Sequence, residues 1–380
     1  MSIALLLVSV AIVALARSGV RRPASRGPMW VTAMAAAELA PWLLPGVVLL
    51  GGGFYALGWV DGPAGTAALV LLGISAALFG VMIVQSARSR GAVERAVGEF
   101  LGRPVSVRLR APLRLLLPVS RPGRGVSVTS GLRYGAHERH LVDRIARDDL
   151  TAPAPVLVHV HGGSWTRGTR DSQARPWLHR MARDGWVVLA PSYRLSPEAT
   201  FPDPVEDIRL CVEWVQANAG ELGVDPSFVA LAGGSAGAQV ATVAAFSWPD
   251  IARICIPLYG VHDLLRSDGT TPLWPYLVSE VMQSRPEDDP ERWGRASPSR
   301  SAPAERPPFF VVHGATDTLV PQSASARLVE ALREAGDTPV GYLPLPWGNH
   351  GFDYFTSIRS LYVADGLAMV LAAAYERSRA

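Results

Sequence analysis

No lysine occurs in this chain of 380 residues: all 36 basic residues are arginine, set against 33 acids, and the net charge is +3. Coding bias explains that choice better than nucleic-acid binding. The arginines form no stripe with interleaved aromatics, so no nucleic-acid partner is expected. Cysteine is nearly missing too. Cys211 and Cys255 fall in a helical and a strand pattern, too few for a disulfide framework, and read as two buried free thiols. His137, Glu138 and His140 come nearest to a metal-binding cluster but stand too isolated from other ligand types, so no metal and no cofactor is expected. Internal repeats and low-complexity tracts are also absent.

Apolar residues, by contrast, make up 49% of the chain, high for a purely soluble protein. Three uncharged runs account for much of it. Ser2 to Ala16 is short, Leu39 to Val60 is interrupted by Pro41, Pro45 and Gly51-Gly52-Gly53, and Thr66 to Val84 is clean. About 20 apolar residues span a bilayer, and the Leu, Ile, Val and Phe residues of the third run favour insertion by roughly 3–6 kcal/mol. The first run could also be read as a signal peptide ending at Ala14-Leu15-Ala16, but Arg17, Arg21, Arg22 and Arg26 follow it rather than precede it. With three retained spans these arginines share a side with Arg88, Arg90 and Arg95, opposite Asp61. The positive-inside rule then predicts an integral plasma-membrane protein with its large domain in the cytoplasm. The expected organisation is a transmembrane region over 1–87, a basic linker over 88–125, and a large folded domain over 126–380. Thirteen arginines against four acids between Arg88 and Arg147 would also favour anionic membrane lipid as a partner.

Beyond Ser120 to Gly125, short apolar runs alternate with helical patterns. Strands are predicted at Val126–Tyr134, His140–Ala146, Val156–Val160, Trp186–Ala190, Phe228–Leu231, Ile254–Leu258, Phe309–Val312 and Val340–Leu343. Helices are predicted at Gln173–Arg183, from Asp203-Pro204-Val205-Glu206 onward, and at Ala236–Phe246, Ser323–Ala335 and Ile358–Tyr375. That alternation means an α/β fold, a mostly parallel sheet covered by helices on both faces.

Such a sheet carries its chemistry at the carboxyl ends of its strands. The run Phe228–Leu231 stops at Gly233-Gly234 and a helix begins at once, leaving Ser235 at the junction within Gly233-x-Ser235-x-Gly237. Glycines on either side let the backbone turn sharply and expose one hydroxyl, the geometry of a nucleophile elbow. After Val156–Val160 comes His161-Gly162-Gly163-Ser164-Trp165, whose paired glycines can turn backbone N–H groups inward. Gly162, Gly163 and Ala236 are therefore expected to form an oxyanion hole. Asp317 follows Phe309–Val312, and His350 follows Val340–Leu343. The chain order Ser235, Asp317, His350 is that of α/β-hydrolase triads. A serine hydroxyl needs a base to become nucleophilic. His350 is assigned that role, with Asp317 fixing its tautomer. His159 reads as a core residue, His313 as fixing its own turn, and Tyr193, Arg194 and Asp207 as scaffold. His262 and Asp263 read as packing rather than pocket lining.

The stretches H-G-G-S-W, S-Y-R-L-S-P-E-A-T-F-P-D-P-V-E-D, G-G-S-A-G, H-G-A-T-D-T-L-V-P and N-H-G-F together resemble carboxylesterases of the hormone-sensitive-lipase-like group of α/β-hydrolases. The resemblance covers about Val126 to Tyr375. It implies ester hydrolysis by Ser235, Asp317 and His350, and a cap from residues before the sheet and from an insertion. Ser164 stands where the H-G-G-G form has a third glycine, and Gly234 and Ala238 depart from G-D-S-A-G-G. The H-G-G-x-W form is also similar to formamidase-like and prenylcysteine-methylesterase-like relatives, and an inert ligand-binding member of the fold is the non-enzyme alternative. The cap insertion is placed at 261–306, with a helix-like piece near Leu277–Gln283. Trp165, Trp274 and Tyr276 are expected to wall an apolar pocket, and the partner is a lipophilic small-molecule ester.

Overall fold

The computed structural model describes residues 2–20, 29–110, 112–265 and 274–379. Four helices come first: α1 Ser2–Val20, α2 Met29–Glu38, α3 Ala40–Ala56 and α4 Gly62–Leu101. The sheet and its helices follow in chain order as β1 Val126–Arg133, β2 Leu141–Arg147, β3 Ala154–Val160, α5 Arg175–Arg183, β4 Val187–Pro191, α6 Asp203–Ala217, α7 Ala219–Leu222, β5 Val224–Gly234, α8 Ala236–Ser247 and β6 Ile254–Leu258. The short α9 Trp274–Tyr276 and α10 Pro290–Arg295 precede β7 Phe309–Gly314, α11 Ser323–Glu334, β8 Val340–Leu345 and α12 Ile358–Arg379. The strand order is β1-β2-β4-β3-β5-β6-β7-β8. The β1–β2 and β2–β4 pairs are antiparallel, and the other neighbouring pairs are parallel. Every predicted strand is present. The main extension is β5, which starts at Val224 and runs up to the elbow.

Alternation along the central strands sorts side chains onto two faces. Val156, Val158 and Val160 of β3 pack with Val205 and Ile208 of α6, Val240 and Ala244 of α8, and Leu328 and Leu332 of α11. Leu157, Val188, Ala230 and Ala232 face the other way, against Trp177 and Met181 of α5 and Val363, Leu367 and Leu371 of α12. That second face also receives Ala92, Val93, Ala96, Val97 and Leu101, the last turns of α4. Residues 88–101, expected as linker, are therefore core helix. Their apolar stripe at helical spacing lies among arginines and is masked when charge alone is counted. The helix stops at Gly102, whose φ of 68° lets the Arg103 N–H turn back to Gly98 O.

The first half of α4 packs against α1 and against α2 and α3, through Leu5, Ala16, Ala36, Ala40, Val47, Leu72, Phe79 and Met82. Outside that bundle Ile3, Leu7, Val48, Leu49, Val70, Ile74 and Val84 are exposed. Among the described residues three helices, Ile3–Val20, Gly62–Leu101 and Ile358–Arg379, are long and apolar enough to cross a membrane. The last packs most of its length against the sheet and belongs to the core of the α/β domain. The middle apolar run, Leu39 to Val60, holds the single helix α3, and α2 meets it at its start with a bend of 79° between Trp30–Glu38 and Ala40–Ala56. Arg21, Arg22 and Arg26 lie outside the described residues.

The helical unit is fastened to the α/β domain by a buried ion pair, the Glu38 carboxylate with the Arg359 guanidinium. Ser357 Oγ donates to Glu38 at 2.6 Å, and the Arg359 N–H donates to Ser86 Oγ at 3.0 Å. Removing one member of such a pair strands the other charge in the interior, a loss of about 3–5 kcal/mol. Arg359→Met should therefore lower the thermal unfolding midpoint of the detergent-solubilised chain sharply, and adding Glu38→Leu should recover most of the loss. An unchanged midpoint in the single variant would show that the pair does not hold the two units together.

Candidate active site

The elbow is built by crowding. Ser235 adopts a φ of 56°, a left-handed conformation rare for a side-chain-bearing residue, and its N–H is held by Leu258 O at 3.0 Å. A Cβ at Gly233 would come within 2.3 Å of Gly237 O, and one at Gly237 within 2.2 Å of Val160 O. Neither position tolerates a side chain, so the motif is a steric requirement here.

Ser235 Oγ lies 2.9 Å from His350 Nε2, and His350 Nδ1 lies 2.7 Å from Asp317 Oδ2. The other Asp317 oxygen accepts the N–H groups of Leu319 and Val320 at 2.9 and 2.8 Å. Burial pushes the Asp317 carboxyl upward, but His350 and His313 outweigh it and hold the group well below the usual carboxylate range. His313 does more than fix its turn. Its Nε2 lies 3.3 Å from Asp317 Oδ2, while its Nδ1 meets Ser325 Oγ at 2.7 Å. Asn349 Oδ1 joins the two loops by accepting the His350 N–H at 2.8 Å and the Thr318 N–H at 3.3 Å. The arrangement can move a proton from a serine hydroxyl to imidazole while keeping the carboxylate ionised.

The loop after β3 is pinned from several sides. The Gly162 N–H, expected to face a reacting oxygen, donates instead to Gln173 Oε1 at 2.8 Å, and Gln173 Nε2 donates to Tyr354 OH at 2.7 Å. That removes Gly162 from the donor set. Positive φ values at Gly163, Ser164 and Trp165 then turn the chain over. No acceptor among the described residues takes the backbone N–H of Gly163 or Ser164. Ala236 opens α8, where a first-turn N–H has no intrahelical partner. The Ser164 N–H, which the paired-glycine reading did not name, is thus left without an acceptor among the described residues. A Cβ at Gly163 would fall 1.8 Å from Arg167 O, so that position must stay glycine.

Tyr276 is brought to this loop, but as a tether: its hydroxyl donates to Ser164 O at 2.5 Å and lies 2.6 Å from Thr166 Oγ1. Trp165 is buried, and its Nε1–H donates to Gln239 Oε1 at 2.9 Å. With Phe201, Val240, Leu264 and Met282 it encloses a cavity of 10 Å³, room for about one water. The Trp274 side chain lies outside the described residues. Asp263 is engaged by Arg300 at 2.7 Å. His262 is buried, and burial lowers its pKa to about 3. Cys211 and Cys255 are free and buried. Among the described residues no group of His, Cys, Asp and Glu could hold a metal ion.

Two aromatic contacts on His350 were not anticipated. The Tyr259 ring lies 4.8 Å from the imidazole, and its hydroxyl donates to Asp353 Oδ1 at 2.6 Å. Burial raises the Asp353 carboxyl to about 6. On the other side Trp30, from the first turn of α2, meets the imidazole edge-on at 5.3 Å and an interplanar angle of 86°. A residue of the helical unit thus forms part of the site.

The family described as BD-FAE matches residues 145–332. Esterase LipQ of Mycobacterium tuberculosis is 38% identical over 271 residues, which cover 67% of this chain and 64% of LipQ. The probable carboxylic ester hydrolase LipM of the same organism is 35% identical, covering 71% of this chain and 65% of that one. The chain thus spans just under two thirds of the length of these relatives. Among solved structures, a bacterial heroin esterase superposes with a TM-score of 0.56 at 25% identity, over 76% of this chain and 92% of that chain. Sheet order, elbow and sequence likeness converge, and the chain is a member of the α/β-hydrolases, in the hormone-sensitive-lipase-like carboxylesterase group.

Proposed function

We propose that this protein is a membrane-anchored serine carboxylesterase that cleaves apolar esters of short- to medium-chain acids. The observation that carries the reading is the continuous hydrogen-bond chain from Ser235 through His350 to Asp317, set beside unengaged backbone donors. Ester-hydrolase names among the relatives support it.

In the first half-reaction Ser235 Oγ attacks the ester carbonyl carbon as His350 Nε2 takes the hydroxyl proton. The carbonyl oxygen becomes an oxyanion within reach of the Gly163, Ser164 and Ala236 N–H groups, donors already oriented before the reaction begins. Collapse breaks the ester C–O bond, and His350 returns the proton to the leaving alcohol. Water then attacks the acyl-enzyme by the same route and releases the acid. Throughout, Asp317 remains ionised and stabilises the imidazolium. No step draws on a metal or cofactor. The apolar side chains around Trp165 favour an apolar acyl group, while the exposed apolar belt of α1, α3 and α4 favours a substrate that partitions into lipid. Arginines beyond the apolar runs support a plasma-membrane protein with its catalytic domain on the cytoplasmic side.

Ser235→Ala should abolish turnover of p-nitrophenyl butyrate and labelling by a fluorophosphonate while leaving the unfolding midpoint unchanged. Undiminished activity would overturn the assignment. Asp317→Asn should lose about 10⁴-fold in kcat, because the imidazole then settles in the wrong tautomer. Trp30→Ala should reduce kcat/KM by about 2- to 10-fold, the worth of one edge-on aromatic contact, and Trp30→Phe should retain most of it. Equal rates for all three residues would remove the helical unit from the site. An ester series of rising acyl length, run beside a formanilide and a prenylcysteine methyl ester, checks the substrate class. Preference for either of the last two would replace it.

A further inference from the structure

On the second face of the sheet, away from Ser235, Arg108, Arg110, Arg114, Arg180 and Arg183 line a cavity of 310 Å³ with Asp184 at its edge. Two carboxylates serve this cluster. Asp365, buried beneath it, meets Arg110 at 2.8 Å and Arg180 at 3.0 Å, and Asp184 meets Arg180 at 2.6 Å. The remaining guanidiniums fare differently. Arg114 and Arg183 donate to the backbone carbonyls of Arg121 and Pro122, each at 3.0 Å, and Arg108 forms no ion pair among the described residues. Positive charge has therefore been collected into a hollow in excess of the acids that could balance it.

The neighbours register that excess. Burial, then Arg114 and Arg180, bring Arg183 down to about 10. Burial, then Arg183, Arg175 and Arg114, bring His179 down to about 3. Crowded guanidiniums repel one another, and an anion entering among them would relieve that repulsion. Planar guanidinium forks match the paired oxygens of a phosphate.

The position of the cavity narrows the source of that phosphate. The uncharged run of α4 ends at Val84, and Ser86 and Ser89 just beyond it bond Arg359 of α12. Leu361 and Ala364, also on α12, line the cavity. They lie about 3–8 Å further along that helix at 1.5 Å per residue. The headgroup layer of a bilayer is itself about 5–8 Å deep on each side. Next to Arg114 in the chain, Leu113, Leu116 and Leu117 stand exposed on both sides of it. Apolar side chains around a cationic hollow suit an amphiphile, with acyl chains outside and phosphate within.

We propose that this cavity is a binding site for the phosphate of an anionic phospholipid headgroup, held by Arg108, Arg114 and Arg183. The inference rests on the membrane reading of the helical unit and is independent of ester hydrolysis at Ser235.

The test uses the full chain in dodecyl maltoside and follows its unfolding midpoint as dihexanoyl-phosphatidylglycerol, dihexanoyl-phosphatidylcholine or inorganic phosphate is titrated in. The expected result is a saturable rise with the phosphatidylglycerol alone, weakening as sodium chloride is added. Arg114→Gln with Arg183→Gln should weaken the apparent affinity for it at least tenfold. Fluorophosphonate labelling of Ser235 in that variant should be unchanged, which certifies its fold. Equal shifts with both lipids, or an affinity unaltered in a labelled double variant, would overturn the proposal. A response to inorganic phosphate equal to that of the lipid would overturn the lipid assignment and leave a free-phosphate site. Should the double variant fail to fold, the salt dependence in the parent chain decides: binding insensitive to salt contradicts a site made of arginine charge.

Discussion

Backbone packed against backbone at the carboxyl ends of the strands is the constraint from which the site follows. Three contacts leave no room for a Cβ: Gly162 against Gly234 O at 2.6 Å, Gly237 against Val160 O at 2.2 Å, and Gly314 against Gly348 O at 2.3 Å. Each ties two loops that arrive from different parts of the chain. Interiors packed at crystal-like density do not yield by tenths of an ångström without loss. Separations among Ser235, His350 and Asp317 are consequently set by main-chain contact, before any side chain chooses a rotamer. The left-handed turn at Ser235 is the strain that accompanies this arrangement, and the surrounding β3 and β6 contacts hold it in place.

The second organising feature is that the helical unit and the hydrolase share a core element. The forward half of α4 faces α1, α2 and α3, and its rear half fills the same cluster as α5 and α12. Folding of the sheet's second face therefore needs a helix whose beginning is apolar on its outer surface. The Glu38–Arg359 pair sits where the two environments meet, with Ser86, Ser89 and Ser357 supplying neutral partners. A buried charge pair contributes modest net stability, but it penalises every packing in which one member lacks the other. Such a pair specifies register.

Much of this was legible in the amino-acid pattern, for identifiable reasons. The strands are apolar runs that end at glycine, and the residues able to do chemistry follow those ends directly: Ser235, Asp317 and His350 could be named from order alone. What stayed hidden depends on contacts far apart in the chain. Which amides of 162–165 stay unengaged is decided by three positive φ values and by Gln173, so the pattern H-G-G-S-W pointed to Gly162, whose N–H the fold ties to that side chain. The stripe Ala92, Val93, Ala96, Val97 was masked by surrounding arginines and read as linker. Trp30 carries no local signal at all, since its role arises only when α2 folds back onto the loop of His350. Tyr276 was named for the right neighbourhood, yet it grips the main chain at Ser164 and Thr166.

The unbroken course of α4 has one more consequence. Forty residues in a single helix measure about 60 Å at 1.5 Å per residue, with no glycine pair or proline in the stretch from Leu69 to Leu101 to act as a joint. Under the proposed membrane anchoring, a rigid strut of that kind, embedded at one end and built into the sheet's packing at the other, would hold Ser235 at a constant elevation above the bilayer. Under the proposed activity, discrimination among lipophilic esters would then be geometric in origin. Molecules whose carbonyl floats at the level of the hydroxyl would be cleaved, and those anchored deeper or riding higher would pass by, whatever their affinity for the pocket.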